Sequence, residues 1–194
     1  MSTPRVVLAS TSRYRAELLH RVLDDFEQIA PDVDEAAIAG EMPAARATRL
    51  ALAKASAVAA RTEGACVIGS DQVAALGASV LHKPGTIENA YQQLHASSGR
   101  TVDFFTGLCL IDQRAGSQAR HLDHTSVRFR RLTAAEIARY VERDHPLDCA
   151  GSFKLEGAGS ALFTHVDTED PTALIGLPLI ALARLLRAAG LAIP

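Results

Sequence analysis

The chain lacks several features that mark specialised classes of protein. Its 194 residues include no tryptophan and only 5% aromatic side chains. The 20 lysines and arginines are balanced by 22 aspartates and glutamates, which leaves a net charge of −2. A dedicated nucleic-acid surface usually shows a basic excess, so this balance argues against one. A Walker P-loop and a GxGxxG motif are also missing from the sequence.

Long apolar runs and a regular cysteine pattern are missing too. The longest apolar segment, Leu177 to Leu186, is too short to cross a bilayer and contains Arg184. The N-terminus has no long apolar core and no small-residue cleavage site, so we expect no secretion signal. Cys66, Cys109 and Cys149 are odd in number and widely scattered. These features favour free thiols in a reducing cytoplasm.

What the chain does contain is an alternation of strand-like and helix-like segments, with 48% hydrophobic residues. The length suits one domain, residues 1–194, or one domain with two lobes. Because helices are mixed with strands that are adjacent in sequence, we expect an α/β fold: a mixed β-sheet flanked by helices. The expected strands are Val6–Ala9, Phe26–Ala30, Cys66–Gly69, Thr101–Asp112, Arg120–Arg130 and Ala161–Val166, and the expected helices are Pro43–Arg61, Thr86–Ser97, Thr133–Arg143 and one from Pro178 to before Gly190.

The run LASTSRYRAELL, Leu8 to Leu19, is the most informative segment. A short buried strand leads through the hydroxyls of Ser10 and Ser12 to the basic Arg15. We expect an amphipathic helix to follow, with its apolar face formed by Leu18, Leu19, Val22 and Leu23. A helix start presents unpaired N–H groups, and an arginine one turn later can grip phosphate. The same residues also fit an ordinary turn that Ser12 caps, with solvated arginines.

Two acids and two lysines are further candidates for chemistry. Asp71 follows the expected strand at Cys66–Gly69, where ligands bind in open α/β sheets, so it is a candidate general base or metal ligand. It also fits a turn aspartate after Gly69 and Ser70. Glu35 ends an acidic loop, Lys54 lies among alanines, and Lys83 lies in the rigid turn HKPG.

Each of these four residues, taken alone, also fits a solvated or turn position. As a set they favour a ligand site. Two hydroxyls, one arginine and two lysines suit a polyphosphate, while Glu35 and Asp71 suit a hard cation with oxygen ligands.

The sequence resembles a known family, the Maf nucleoside triphosphate pyrophosphatases. Within this family it resembles the YceF-like branch, which is linked to 7-methyl-GTP. The resemblance runs almost end to end. It rests on the segments LASTSRYRAELL, APDVDE, the helix at Lys54, GSDQV, HKPGT, FFTGL, HPLDCAGSFKLEG and DPTALIGLPL.

The resemblance implies a cytoplasmic enzyme that cleaves a nucleotide between its α- and β-phosphates. It also implies a divalent cation, Mg²⁺ or Mn²⁺, and a central cleft between two lobes of a Maf/ITPase-like fold. By motif, Asp71 resembles the family's proton acceptor. The matching positions for the remaining polar wall are Ser10, Arg15, Glu35, Lys54 and Lys83, and the expected metal ligands are Glu35 and Asp71.

Three positions distinguish the branches of this family: Tyr14, Gln72 and Glu156. The base of 7-methyl-GTP carries a delocalised positive charge, so a ring stacked on it gains roughly 0.5–2 kcal/mol. Tyr14 could be that ring. Glu156 could accept hydrogen bonds from the two N–H donors on the edge of guanine. The branch usually has Pro-Trp before the key arginine, whereas this chain has Arg13-Tyr14.

We therefore expect a small nucleotide as the partner, and neither a nucleic acid nor a membrane. A homodimer is possible. One alternative is the sister activity of the family on dTTP and UTP. Another is a non-catalytic protein that binds a nucleotide or a partner.

Overall fold

The computed structural model describes residues 4–194, which form a mixed sheet of seven strands and five α-helices. The order in the sheet is β2-β1-β3-β5-β6-β7, and β4 pairs with β3. The expected α/β class with a mixed sheet is thereby confirmed. The strands are β1 (Arg5–Ala9), β2 (Glu27–Ile29), β3 (Ala65–Leu76), β4 (Ser79–Leu81), β5 (Thr101–Asp112), β6 (Ser117–Phe129) and β7 (Phe163–Asp167), and the helices are α1 (Arg13–Leu19), α2 (Pro43–Ala59), α3 (Ile87–Ser97), α4 (Ala134–Asp144) and α5 (Leu179–Ala188).

The chain divides into two compact units. The first comprises the described residues up to Asp71, together with Thr106–Asp123 and Asp170–Pro194. The second comprises Gln72–Phe105 and His124–Glu169. None of the helices in residues 4–194 is long and apolar enough to cross a membrane.

In the first unit, β1 pairs in parallel with β2 and with β3. Its last residue, Ala9, lies opposite Gly69 of β3. A cluster of buried apolar side chains includes Leu8 of β1, Leu18 of α1, Ile68 of β3 and Leu182 of α5, together with Leu177 just before α5. A second cluster joins α2 to β1 and β3 through small side chains such as Ala51 and Ala55.

Two glycines let α2 approach the sheet closely. A Cβ at Gly69 would overlap the backbone of Ala51 and Ala55, and a Cβ at Gly107 would overlap the backbone of Ala47. Both glycines lie on strands, where a missing side chain often marks the close approach of another backbone. The contact fixes the position of the middle of α2 on β3 and β5 within the first unit.

The second unit has its own core of aromatic rings. Phe153 makes edge-to-face contacts with Phe104, Phe129 and Phe163, at centroid distances of 5.3, 5.9 and 4.8 Å. In this unit β6 pairs antiparallel with β7, with an irregularity between Arg128 and Phe129. Helix α4 begins with the expected capping box, in which the Thr133 side chain accepts from the backbone N–H of Glu136.

Strand β4 was not among the expected strands, and the differences that matter for the site concern α1 and β3. Helix α1 ends at Leu19, so Val22 and Leu23 lie beyond it although they pack against the same core. The short strand expected at Cys66–Gly69 is part of the twelve-residue β3. Asp71 therefore lies within a strand, two residues beyond the end of the pairing with β1. The polar run from Ser70 to Gln72 resembled a turn, but tertiary hydrogen bonds satisfy Ser70 and Asp71 within the strand.

Candidate active site

A buried ion pair joins α2 to β3 in the first unit. The Lys54 ammonium donates to Asp71 Oδ1 at 2.6 Å. Lys54 is only 6% exposed and Asp71 only 7% exposed, so both charges are largely removed from water. Lys54 lies on the buried face of α2 with Ala51 and Ala55, which are small enough to let this lysine reach the sheet. Burial makes each charge depend on its partner.

Glu35 supplies a second carboxylate to the same ammonium. Its Oε1 lies 2.7 Å from Lys54 Nζ, and its side chain is 56% exposed. The Lys54 ammonium therefore lies between two carboxylates, one buried and one accessible to solvent. This group of three carries a net charge of −1, which favours a further cation nearby.

Arg15 is that further cation. Its Nε donates to the carbonyl of Gly176 at 2.7 Å. Although part of its side chain is accessible to solvent, burial of the guanidinium lowers the pKa of Arg15. The negative charges of Asp71 and Glu35 act in the opposite direction and raise that pKa. We refer to Arg15, Glu35, Lys54 and Asp71 as the charged cluster, with two positive and two negative groups.

Ser10 and Ser12 organise the turn between β1 and α1. The Ser10 hydroxyl accepts from the backbone N–H of Ser12 at 3.1 Å. The Ser12 hydroxyl caps α1 by accepting from the backbone N–H of Arg15 at 3.4 Å. Ser12 is therefore the helix cap that the local pattern predicts. A hydroxyl that accepts a hydrogen bond still has its proton to donate.

Tyr14 already has a cation on its ring. The Arg13 guanidinium carbon lies 4.7 Å from the centroid of the Tyr14 ring, and Arg13 Nη2 donates to the Tyr14 hydroxyl at 2.8 Å. This contact shows that the ring accepts a positive charge on its face. A stacked base would use the opposite face or displace Arg13.

Three predicted residues belong to the second unit. Gln72 follows Asp71 on β3 and is partly buried. Lys83 is exposed in the loop between β4 and α3. Glu156 is exposed in the turn between Phe153 and Ala158.

Hydrogen bonds within the second unit hold the loop that carries Lys83. The backbone N–H of Gly85 donates to the carbonyl of Leu147 at 3.0 Å. The Asn89 side chain donates to the carbonyl of Pro84 at 2.8 Å. These hydrogen bonds hold the backbone on the C-terminal side of Lys83, and Lys83 itself is exposed to solvent.

Two residues next to the charged cluster were not among the predicted ones. Ser70 is fully buried, and its hydroxyl lies 2.9 Å from the carbonyls of both Gly107 and Gly176. Gly176 holds both Arg15 and Ser70 through its carbonyl. A backbone carbonyl leaves no side-chain signal in a sequence, and a serine before an aspartate resembles a turn. In the sequence, Gly176 was marked only by its place in the motif DPTALIGLPL, on which the family resemblance partly rests.

The donor set fits a hard divalent cation that takes part of its ligands from a substrate. Glu35 and Asp71 place carboxylate oxygens within 2.7 and 2.6 Å of one ammonium nitrogen, so both can face one cation. Across residues 4–194, no group of three or more His, Cys, Asp or Glu side chains could hold a metal ion. Mg²⁺ commonly uses one or two carboxylates together with substrate phosphates and water.

The chain is similar to known proteins along almost its whole length. A family model described as Maf-like protein matches residues 5–189. A protein named 7-methyl-GTP pyrophosphatase from Xanthomonas axonopodis pv. citri is 56% identical over 191 residues, which cover 98% of this chain and 100% of that protein. A protein of the same name from Burkholderia thailandensis is 53% identical over 192 residues, covering 97% of this chain and 89% of that protein.

The chain is also similar in fold to solved structures. The structure of the Staphylococcus aureus Ham1 protein matches with a TM-score of 0.51, and the matched region covers 95% of this chain and 98% of the Ham1 chain. Because the two sequences are only 13% identical, the likeness concerns the fold alone. It agrees with the expected Maf/ITPase-like architecture.

Proposed function

Because this chain belongs to the Maf family, we propose that it is a nucleoside triphosphate pyrophosphatase that hydrolyses 7-methyl-GTP. The products are the nucleoside monophosphate and pyrophosphate. Relatives that are 56% and 53% identical carry the name 7-methyl-GTP pyrophosphatase. The observation in the structure that supports the proposal most is the charged cluster, in which Lys54 contacts both Asp71 and Glu35.

The reaction needs charge neutralisation and a proton acceptor. Water adds to the α-phosphorus atom, and the bond from this atom to the oxygen that bridges the α- and β-phosphates breaks. Negative charge develops on the phosphoryl oxygens, where Arg15 and Lys54 would bind it. Asp71 would take the proton of the attacking water, and pyrophosphate leaves with the bridging oxygen.

Each side chain of the cluster has a task that follows from its surroundings. Arg15 is held through Nε, so Nη1 and Nη2 are the groups that would pair with phosphate oxygens. Lys54 would pass from the carboxylates to phosphate, since an ammonium is a point charge on a flexible stem. Ser10 and Ser12 would donate their hydroxyl protons to the phosphates, and Lys83 would add a further positive charge.

Glu35 and Asp71 would hold the divalent cation, Mg²⁺ or Mn²⁺, that the family resemblance implies. Such a cation supplies charge neutralisation and acidifies water. Lys54 contacts the same two carboxylates. Lys54 must therefore give up at least one of them before a second cation can bind there.

Base preference would come from Tyr14, Gln72 and Glu156. The Tyr14 ring carries the Arg13 guanidinium on one face. The positively charged 7-methylguanine base would stack on the same kind of aromatic face. The Glu156 carboxylate would accept from the N–H donors of guanine and repel the carbonyl oxygens of uracil and thymine. Gln72, which directly follows Asp71 on β3, would be the third residue that reads the base.

The same proposal includes a cytoplasmic location and a homodimer. Cys66 and Cys109 are buried free thiols, and a reducing compartment preserves such thiols. The homodimer rests on the family resemblance and can be tested by light scattering on the purified protein. Fractionation of cells that express the tagged protein tests the location.

A panel of purified nucleotides tests the proposed activity. Pyrophosphate release is measured for 7-methyl-GTP, GTP, UTP and dTTP, each with Mg²⁺, with Mn²⁺ and with a chelator. We expect the highest kcat/KM on 7-methyl-GTP and no release with the chelator.

Two results would contradict this proposal at different levels. Equal or faster turnover of UTP would replace the base assignment by the sister activity on dTTP and UTP. Tight binding of a nucleotide without any release of pyrophosphate would favour a non-catalytic binding protein.

A further inference from the structure

The motif DPTALIGLPL, residues 170–179, contains none of the side chains proposed to bind or cleave the nucleotide. Its backbone nevertheless contacts two parts of the site. The Gly176 carbonyl accepts from Arg15 Nε at 2.7 Å and lies 2.9 Å from the Ser70 hydroxyl, whose single proton can be donated to it or to the Gly107 carbonyl. Ser70 directly precedes Asp71 on β3. One carbonyl oxygen thus links the arginine of the charged cluster to the strand that carries the proposed proton acceptor.

The orientation of this carbonyl depends on a backbone turn that favours glycine. Gly176 has φ +119° and ψ 7°, in the left-handed region. It ends the short 3₁₀ turn Ala173–Ile175, and its N–H donates to the carbonyl of Ala173 at 2.9 Å. A Cβ at this position would lie 3.4 Å from Arg15 Nε. The guanidinium is therefore packed directly against the turn.

Thr172 joins the two sides of this turn. Its hydroxyl accepts from the N–H of Leu179 at 2.8 Å. The same hydroxyl lies 2.6 Å from Asp170 Oδ1 and 2.9 Å from the Leu177 carbonyl, and its single proton can be donated to either. Asp170 also accepts from the N–H of Ile180 at 2.7 Å. These contacts join residues that precede Gly176 in the sequence to residues that follow it.

We propose that Thr172 is a positioning residue for Arg15, acting through the carbonyl of Gly176. This inference rests on the proposed function for its catalytic consequence. The bond to Nε fixes the plane of the guanidinium and leaves Nη1 and Nη2 for phosphate. Without the Thr172 hydroxyl, the turn keeps the bond from the Ile180 N–H to Asp170 but loses those that Thr172 makes to the Leu179 N–H and the Leu177 carbonyl. The Gly176 carbonyl is then held less firmly in one direction. A misplaced binding group costs catalysis even though every catalytic side chain is present.

The direct test measures the Arg15 Nε–H group itself. In protein labelled with ¹⁵N-arginine, Arg15→Lys identifies the Arg15 signal by its loss. Thr172→Val removes the hydroxyl at nearly the same size. We expect exchange of the Arg15 Nε proton with solvent to become roughly tenfold faster in that variant, because the hydrogen bond to Gly176 weakens. Thr172→Ser keeps the hydroxyl and should restore slow exchange.

A matched control removes a different threonine hydroxyl. Thr62 is another threonine of the first unit; it is buried, and its hydroxyl donates to the carbonyl of Val58 at 3.1 Å. Thr62→Val should leave the exchange of the Arg15 proton unchanged even if the free energy of unfolding falls. An unchanged Arg15 signal in Thr172→Val would overturn the proposal, whatever the activity.

A second experiment measures catalysis in a double-mutant cycle. We expect Thr172→Val to lower kcat/KM for 7-methyl-GTP roughly 10- to 100-fold in the wild-type background. In an Arg15→Ala background the same substitution should cause no further loss, because the group it positions is gone. Equal losses in both backgrounds would mean that Thr172 does not act through Arg15. If Arg15→Ala itself kept full activity, the proposed function of Arg15 would fail, while the exchange measurement would still decide the positioning role.

Discussion

The two lysines proposed to bind phosphate have opposite surroundings. Lys54, in the first unit, is buried on α2 between the carboxylates of Asp71 and Glu35. Lys83, in the second unit, is exposed in a loop whose backbone is held by hydrogen bonds. A buried ion pair loses stability when one partner is removed, whereas an exposed charge contributes little to stability. Function and stability should therefore be coupled at Lys54 and separable at Lys83.

The largest effect is expected for Asp71→Asn. Asparagine keeps the shape but cannot accept the proton of the attacking water. Loss of a general base costs about 10²- to 10⁴-fold, so pyrophosphate release from every nucleotide should fall by that range. The rates are measured under single-turnover conditions with 7-methyl-GTP and UTP.

Asp112→Asn is the matched control for this substitution. Asp112 is a similarly buried acid of the first unit, paired with Arg114 at 2.8 Å. Its loss should lower the melting temperature and leave kcat/KM of the folded protein unchanged. Near-normal rates for Asp71→Asn would remove Asp71 from the catalytic assignment.

The second-largest effect is expected at Lys54, and it tests the comparison of the two lysines. Lys54→Met leaves Asp71 as a buried carboxylate without its nearest cation, which costs up to roughly 3–5 kcal/mol of stability. The loss of a charge that binds the transition state should also lower kcat about 10²- to 10³-fold. Thermal unfolding and steady-state kinetics are measured on the same samples.

Lys83→Met is the partner variant. A surface substitution changes the free energy of unfolding by only about 0.5 kcal/mol, so its melting temperature should match that of the wild type. A fall in its kcat/KM for 7-methyl-GTP is expected from the lost positive charge. A large drop in stability for Lys83→Met, or none for Lys54→Met, would contradict the distinction between the two units.

A smaller effect is expected for the base preference at Glu156→Gln. A hydrogen bond to a charged group is stronger than one to an amide, so the ratio of kcat/KM for 7-methyl-GTP over UTP should fall roughly tenfold. Glu142→Gln, another exposed glutamate of the second unit, should leave the ratio unchanged. Glu156→Gln with an unaltered ratio would remove Glu156 from the specificity residues.

The smallest effect concerns stability alone, in the capping box of α4. Hydrogen bonds from Thr133 and then from Arg130 lower the pKa of Glu136 to about 2. A lowered pKa stabilises the fold above the unfolded-state value of about 4.3, and this contribution is lost as the pH falls toward the folded value. Urea unfolding should show Glu136→Gln less stable than wild type at pH 7, with the difference shrinking from pH 4.5 to 3. A difference that stayed constant over that range would contradict the cause given for the pKa.

Local patterns predicted some elements well. The capping box at Thr133 and Glu136 is formed as expected, because all of its hydrogen bonds lie within four residues of sequence. The proline of Pro43 begins α2, as a proline at the first helical position predicts. Helix α3 begins after its expected cap, Thr86. In each case the signal and the structure that it predicts are close together in the chain.

Predictions failed where distant groups decided the outcome. The strand at Cys66 was expected to stop at Gly69, yet β3 continues to Leu76. Ser70 is satisfied by Gly107 and Gly176, which lie 37 and 106 residues away in sequence. Polar residues that end a strand in isolation can continue it when such partners are available.

By itself, the sequence determined the α/β class, the family and the types of charged groups, because these depend on local patterns and on motifs in a fixed order. It placed Lys54 among alanines and Asp71 after a buried strand without indicating that the two touch. Only the tertiary structure decided that Lys54 lies between Asp71 and Glu35, and that a backbone carbonyl at Gly176 holds Arg15. The reason is physical: a pairing of charges depends on where helices and strands pack, and packing involves residues from the whole length of the chain.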